Sequence, residues 1–319
     1  MNIFQTTFES VAVLLGIGII GFYIIRKKVI PGVVLRSLSP LALEIGLPSL
    51  IFVNILTDFS PQEYPNWWHL PIWWVFFTAV AALFTFFFMF LSKRSSRREF
   101  ALCLFYQNAI FFPLAILTGM FQPAEPYVIS LFLFTLFNPA FFFGTYPFFF
   151  KEREKDNTHI PLSKLFHPSF IATILAIIIV LIGIQTHVPD IAISILSLLG
   201  GMTVPILMII LGGNVFNDLK GKGTIQIKEL LKFVIVKNFI FPLLFIGILF
   251  VLKPYISYSL ALIILLQSAV PPLTAIPIVT ERLKGNSALA SQLLVGSFLV
   301  SLISIPTMVS IFSMMYSSS

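Results

Sequence analysis

The stretch QSAVPPLTAI, residues 267–276, decides the fold because it places two adjacent prolines inside a long apolar segment. Proline lacks a backbone donor and its ring collides with the preceding helical turn, so Pro271 and Pro272 disrupt a continuous helix. An upstream stretch, QNAIFFPLAI at residues 107–116, aligns with it at an offset of 160 residues and carries Pro113. The alignment predicts two related helices, each broken by proline.

The composition places both stretches in a membrane. Hydrophobic residues make up 58% of the 319-residue chain and charged residues only 10%, whereas soluble domains carry about 25% charged residues. A spanning helix needs about 20 mostly apolar residues. Ten stretches meet this requirement: 5–25, 37–57, 67–91, 100–121, 127–150, 167–187, 190–216, 229–252, 257–280 and 288–314.

The positive charges follow the loops between these stretches. Eighteen of the twenty Lys and Arg residues lie at alternate loops, and the two others are Lys237 and Lys253. Lys and Arg collect in cytoplasmic loops, so the pattern predicts a multi-pass protein of the cell membrane with both termini extracytoplasmic. The net charge of +7 is then explained by topology, and no nucleic-acid partner is expected.

A second similarity supports an internal repeat. Residues 30–50 resemble residues 188–207, with Pro31 matching Pro189 and Pro48 matching Pro205. The sequence therefore predicts an all-α membrane protein of ten transmembrane helices in two five-helix repeats, residues 1–155 and 156–319, joined by a linker at Lys151–Lys164. Because five is odd, the repeats would be inverted, as in many secondary transporters. Chance similarity between apolar helices is the alternative.

Polar residues beside the prolines are the predicted substrate site. A broken membrane helix frees carbonyl groups and exposes a helix N-terminus that attracts anions. Amide side chains there can bind a carboxylate or simply hold helices together, and both interpretations stay open for each residue. The predicted substrate-binding residues are Gln107, Asn108, Pro113, Gln267, Ser268, Pro271, Pro272 and Thr274.

Two charged residues fall inside predicted membrane helices, Glu44 four residues before Pro48 and Lys237 five residues before Pro242. Ionisable residues at membrane depth are usually functional. Glu44 could pair with Lys237 or carry a coupling proton, while Lys237 could attract an anion or extend towards lipid headgroups. The four histidines and the single cysteine show no metal-ligand spacing, so neither a metal nor a cofactor is predicted.

With these motifs identified, the chain resembles the auxin efflux carrier family. That family includes malate permease-like transporters and lies within the bile/arsenite/riboflavin transporter superfamily. The resemblance runs over the whole chain and is carried by four motifs: Asn108 to Pro113, Lys237 to Pro242, LPSLIF at 47–52, and AVPPLTAIPIVTERLKGN at 269–286. One departure leaves the substrate open, since bulky residues at 109–112 replace glycines that family members often carry there.

The resemblance implies a scaffold of helices 1, 2, 6 and 7 and a mobile transport unit of helices 3–5 and 8–10. Helices 4 and 9 would cross at their breaks inside the mobile unit, and transport would follow an elevator-type alternating access. Glu44 would belong to the scaffold and Lys237 to the mobile unit, so a contact between them would change during the cycle. Family members often form dimers, so a homodimer is an expectation of the resemblance alone.

The function expected from these features is secondary transport of a small organic anion, a carboxylate or an auxin-like molecule. The chain has no GxxxxGK[ST] motif for ATP, which leaves protons, sodium, the membrane potential or the substrate gradient as energy sources. A sodium-coupled symporter of the bile-acid type is the alternative. An integral membrane enzyme is disfavoured because acidic or histidine clusters are missing from the predicted helices, and a channel because polar residues are sparse.

Overall fold

The computed structural model describes residues 3–121, 124–150, 168–220 and 225–317, and this part of the chain is all-helical. The all-α prediction is confirmed for these residues. The predicted linker at Lys151–Lys164 lies outside the described residues. Sixteen α-helices lie within them: α1 Ile3–Arg26, α2 Val34–Pro40, α3 Leu47–Asp58, α4 His69–Phe88, α5 Arg97–Phe105, α6 Phe111–Met120, α7 Glu125–Phe134, α8 Asn138–Thr145, α9 Pro168–Ile182, α10 Asp190–Gly201, α11 Thr203–Lys220, α12 Ile227–Ile235, α13 Phe241–Leu252, α14 Tyr258–Ala269, α15 Ile276–Arg282 and α16 Ser287–Ser317.

Seven spans among the described residues are long and apolar enough to cross a membrane. They are Ile3–Arg26, Ser37–Asp58, His69–Leu91, Pro126–Phe150, Asp190–Phe216, Ile227–Tyr255 and Ser287–Tyr316. Three further apolar helices are shorter: Phe111–Met120, Pro168–Ile182 and Tyr258–Ala269. Two of the three belong to the stretches predicted at 100–121 and 257–280, each of which falls into two separate helices.

Two of the longer spans contain a π-helical segment just before a proline. Pro48 and Pro242 each follow a π-helical segment, Leu41–Gly46 and Val236–Ile240 respectively. Leu47 N–H bonds to the carbonyl of Ala42, five residues back, instead of the usual four. The wider turn relieves the clash between a proline ring and the carbonyl four residues earlier. Both charged residues predicted inside membrane helices, Glu44 and Lys237, lie in these segments.

Helices α1 and α11 pack in direct backbone contact. A Cβ atom built on Gly212 would collide with the carbonyl of Gly18, and one built on Gly21 would collide with the backbone of Ile209. Glycines at a helix–helix contact let backbones approach closely, which is a common way to associate helices in lipid. Helix α1 also packs against α6 and α16, so it links the glycine contact to the rest of the bundle.

Two buried carboxylates, Glu99 and Glu229, accept hydrogen bonds from distant parts of the chain at one end of the bundle. We call these two residues the clamps and this end the clamp end. Glu229 of α12 accepts hydrogen bonds from Ser92 Oγ at 2.7 Å and Lys93 N at 3.3 Å. Glu99 of α5 accepts one from Asn286 N at 3.0 Å. The loops before α5, α12 and α16 therefore meet at the same end.

Candidate functional site

The first broken helix is interrupted just before its proline. Helix α5 ends at Phe105, where Tyr106 adopts an extended backbone with φ −93° and ψ 103°. Helix α6 begins at Phe111 and holds Pro113 in its first turn. Proline fits there because first-turn N–H groups have no partner inside a helix. The break therefore spans residues 106–110, which include the predicted site residues Gln107 and Asn108.

The second break contains the proline pair. Helix α14 ends at Ala269, and Val270 continues in an extended conformation with φ −70° and ψ 153°. Pro271 and Pro272 follow, and α15 begins at Ile276. The predicted site residues Gln267 and Ser268 lie in the last turn of α14, and Thr274 lies half-buried in the break.

The two breaks pair with each other through their backbones. Asn108 N donates to the carbonyl of Pro271 at 2.9 Å, and Leu273 N donates to the carbonyl of Tyr106 at 2.8 Å. These bonds form an isolated antiparallel bridge between Gln107 and Pro272. Buried backbone groups need partners, and each break supplies them to the other. The structure thus brings the two predicted segments into one crossing, defined here as residues 106–110 and 270–275.

The glutamine side chains stabilise this crossing. Gln267 donates from Nε2 to the carbonyl of Ala109 at 2.7 Å, and Gln107 donates to Gln267 Oε1 at 3.4 Å. In a continuous helix residue 113 would donate to the Ala109 carbonyl, which Pro113 cannot do. Gln267 therefore replaces a donor that the proline removes.

Asn108 differs from both glutamines because its side-chain amide has no hydrogen-bond partner among the described residues. Its side chain is 0% exposed, and neither Nδ2 nor Oδ1 has a hydrogen-bond partner among the described residues. A buried amide without partners costs about 1–3 kcal/mol per group, so such groups in a native structure call for an explanation. Asn108 lies three residues before α6, whose N-terminus carries a positive partial charge. The combination is suited to binding a small anion.

Lys237 approaches the crossing from the α12–α13 span. Its side chain is 0% exposed. Nζ donates to the carbonyl of Ser268 at 3.2 Å and lies 5.0 Å from the centre of the Phe241 ring. Ser268 itself turns its hydroxyl back to the carbonyl of Leu265 at 2.6 Å. The side chain of Lys237 therefore points into the bundle, towards the end of α14.

Glu44 lies elsewhere. Its side chain is exposed, and it forms no ion pair with Lys237. Ion pairs do form between Arg98 and Glu99 and between Lys232 and Glu229. The two membrane charges are thus separate in this conformation, and the predicted changing contact between them stays a prediction.

Phe112, one of the bulky residues expected to narrow the site, packs against another helix. Phe112 is buried against Phe298 of α16, with ring centres 5.2 Å apart at 82°. Such an edge-to-face contact is a favourable aromatic geometry. The Phe112 ring is therefore part of the packing between α6 and α16.

A cavity of about 330 Å³ lies between α3, α6, α7, α10 and α11, and it reaches α6 at Leu114, four residues after the first break. Leu114 and Ala115, which follow Pro113, form one wall, and Gly200, Gly201 and Val204 form another. Its polar lining comes from Asn54, Asp58 and Thr118. This volume lies at the lower end of the range for ligand pockets, about 300–1,000 Å³.

The sequence did not single out Thr118, Gly201, Glu99 or Glu229. The cavity residues carry no local signal, because they become neighbours only when α3, α6 and α10 pack together. Lys228 and Lys232 surround Glu229, and this charge cluster at a helix start looks like solvated surface in the sequence. Its burial becomes apparent only from its contact with Ser92.

The described part of the chain is all-helical, with seven apolar spans and two paired breaks, as expected for a multi-pass membrane protein. Residues 6–309 match the family described as membrane transport protein. The chain belongs to this family, that of the auxin efflux carriers. A comparison with curated proteins finds no match. Because proteins of this family are transporters, the assignment supports a transporter and disfavours the enzyme alternative.

Proposed function

We propose that this protein is a secondary transporter that moves a small organic anion across the cell membrane. The anion, a carboxylate or an auxin-like molecule, would bind at the crossing of the two breaks. The observation that carries the proposal is the buried amide of Asn108, which has no partner among the described residues and precedes the N-terminus of α6. A carboxylate would accept a hydrogen bond from Nδ2 and lie in the positive field of α6.

The proposed architecture has ten membrane helices in two inverted repeats, residues 1–155 and 156–319. The hydrogen bond between Gln107 and Gln267, residues 160 positions apart, supports it because the two glutamines occupy equivalent places in the aligned stretches. In this arrangement α5 and α6 form the fourth membrane helix, and α14 and α15 form the ninth. Both termini would be extracytoplasmic, and the clamp end would face the cytoplasm.

Transport would proceed by an elevator-type movement of helices 3–5 and 8–10 against a scaffold of helices 1, 2, 6 and 7. The clamps at Glu99 and Glu229 support a rigid transport unit because they connect its two halves, α5 with the start of α16 and α12 with the loop before α5. The homodimer remains a proposal from the family resemblance.

The cavity supports a path for the anion from the end opposite the clamps. Asp58 at the end of α3 and Ala124 just before α7 line it, and so does Thr118 of α6. Under the proposed division, α3, α10 and α11 belong to the scaffold and α6 and α7 to the moving unit. A cavity at such a boundary would change shape when the unit moves.

The proposal is tested with purified protein in liposomes and a panel of labelled carboxylates. Uptake should saturate and accelerate when unlabelled substrate is present on the opposite side, which separates a carrier from a channel. Proton and sodium gradients, imposed singly, identify the coupling ion: we propose a proton carried at Glu44, and a sodium-coupled symporter of the bile-acid type is the alternative.

Two substitutions at Asn108 test the site itself. Asn108→Ala should reduce uptake at least about fivefold, since the lost amide contact is worth about 1–3 kcal/mol. Asn108→Asp keeps the shape but adds a negative charge, so it should reduce anion uptake further. Asn66→Ala, at an exposed loop position, is the matched control and should transport normally. Wild-type uptake by folded Asn108→Asp would contradict anion binding at this position.

A further inference from the structure

We infer that the ammonium of Lys237 occupies the cation position of the crossing, so that transport needs no metal cation bound there. The inference deepens the proposed function and rests on it, since it takes the crossing as the substrate site. It concerns the end of α14, where the proline pair leaves a carbonyl without its usual donor.

The backbone of α14 creates a position that attracts a cation. In a continuous helix residue 272 would donate to the carbonyl of Ser268, and Pro272 has no N–H to do so. The last carbonyls of a helix also carry the negative end of its dipole. The Ser268 carbonyl is therefore a released acceptor at a negative helix end, inside a part of the bundle that is fully buried. A freed carbonyl of this kind needs a donor or a cation.

Lys237 supplies both. Its Nζ donates to that carbonyl at 3.2 Å and lies over the Phe241 ring, whose face attracts cations. Lys237 forms no ion pair among the described residues, so the Ser268 carbonyl and the Phe241 ring are the groups that stabilise its ammonium form. The ammonium of Lys237 thus occupies the position beside the freed carbonyl that attracts a cation.

The π-helical segment holds Lys237 in this place. Val236, Lys237 and Asn238 are three consecutive buried residues. Asn238 donates from Nδ2 to the carbonyl of Ser297 at 3.0 Å and to Ser304 Oγ at 3.1 Å. These bonds fasten the segment to α16 and prevent Lys237 from turning outwards. Because the ammonium belongs to a side chain of this segment, it would move together with the crossing.

A thermal unfolding measurement tests the inference without knowledge of the substrate. Cys103 is the only cysteine in the sequence and is fully buried, so labelling by a thiol-reactive fluorophore reports unfolding. The wild-type unfolding temperature should be the same in sodium chloride and in choline chloride. Lys237→Ala should unfold at a lower temperature in choline, and sodium or methylammonium should raise that temperature in a saturable manner, as expected for a ligand of the folded state.

Two variants control for trivial causes. Lys237→Met fills most of the same volume without a charge and should show no cation response. Lys232→Ala removes a partly exposed lysine one turn earlier on the same span and should behave as wild type towards cations. A Lys237→Ala protein that is insensitive to sodium and to methylammonium would overturn the inference.

Wild-type transport provides a readout that does not depend on any variant folding. Uptake into liposomes should be unchanged when choline replaces sodium on both sides, and a requirement for sodium would overturn the inference. The two proposals fail separately. If no carboxylate is transported but Lys237→Ala shows the cation response, the substrate assignment is wrong and the cation position stands.

Discussion

Gln267 of α14 donates its side-chain amide to the carbonyl of Ala109, 2.7 Å away, across the crossing of the two breaks. Pro113 releases that carbonyl in the first half of the chain, and a residue of the second half satisfies it. Lys237 likewise donates to the carbonyl of Ser268, which Pro272 leaves without its usual donor. Each proline break is thus completed by a side chain from another helix, so the breaks are stable only when the helices are assembled.

Removal of the Gln267 amide should destabilise the protein. Gln267→Ala leaves the buried Ala109 carbonyl without a donor, which costs about 1–3 kcal/mol. Gln267→Glu should be worse, because a carboxylate facing a carbonyl oxygen cannot donate and repels it. The unfolding temperature, followed by Cys103 labelling, measures the loss. Gln107→Ala is the control and should cost less because its bond, at 3.4 Å, is long. Equal losses in Gln107→Ala and Gln267→Ala would show that the Ala109 contact has no special weight.

The carboxylate clamps give a second stability prediction. Glu229→Ala removes the acceptor of Ser92 Oγ and Lys93 N, and Glu99→Ala removes that of Asn286 N. Glu229→Ala leaves the buried Ser92 hydroxyl without its acceptor, and Glu99→Ala removes a charged acceptor from the partly buried Asn286 N–H. Each variant should lower the free energy of unfolding by about 1–3 kcal/mol. The exposed ion pair partner Lys232 adds little to this, since pairs open to solvent contribute about 0–1 kcal/mol.

Unfolding temperatures of the two clamp variants should be compared with that of Glu281→Ala. Glu281 is exposed near the same end of the chain's second half and should be neutral. If Glu281→Ala destabilised as much as Glu229→Ala, the effect would come from net charge and the clamps would have no specific role.

The positions of the breaks follow from the sequence because proline acts locally. Pro113 and the pair Pro271–Pro272 disfavour a continuous helix at their positions, although Pro306 is accommodated inside α16. The role of each neighbouring amide does not follow in the same way. Gln267 has a structural partner and Asn108 has none among the described residues, and this difference depends on which atoms meet across the crossing.

Long-range contacts explain what else the sequence concealed. Glu229 and Ser92 are 137 residues apart, and Glu99 and Asn286 are 187 apart. No local pattern marks such pairs, so the carboxylates look like ordinary charges at helix starts. The apolar stretches were easier to recognise because helix length and hydrophobicity are properties of a single segment. Whether all ten stretches span the membrane remains a prediction beside the seven long apolar spans.

The adjacent glycines Gly200 and Gly201 at the end of α10 offer a test of the cavity. A Cβ atom on Gly201 would have no atom within 4 Å, whereas one on Gly200 would lie 2.8 Å from Leu50 Cα. Gly201→Leu should therefore extend into the cavity without disturbing the fold. We expect uptake of the larger carboxylates to fall several-fold and uptake of the smallest to fall less, because the cavity of about 330 Å³ would shrink.

Gly200→Ala, the matched variant, should instead lower the unfolding temperature, since the Leu50 backbone cannot move away easily. Uptake measured across the carboxylate panel, together with Cys103 labelling, separates the two effects. Wild-type rates for every substrate in Gly201→Leu would show that the cavity lies off the transport path.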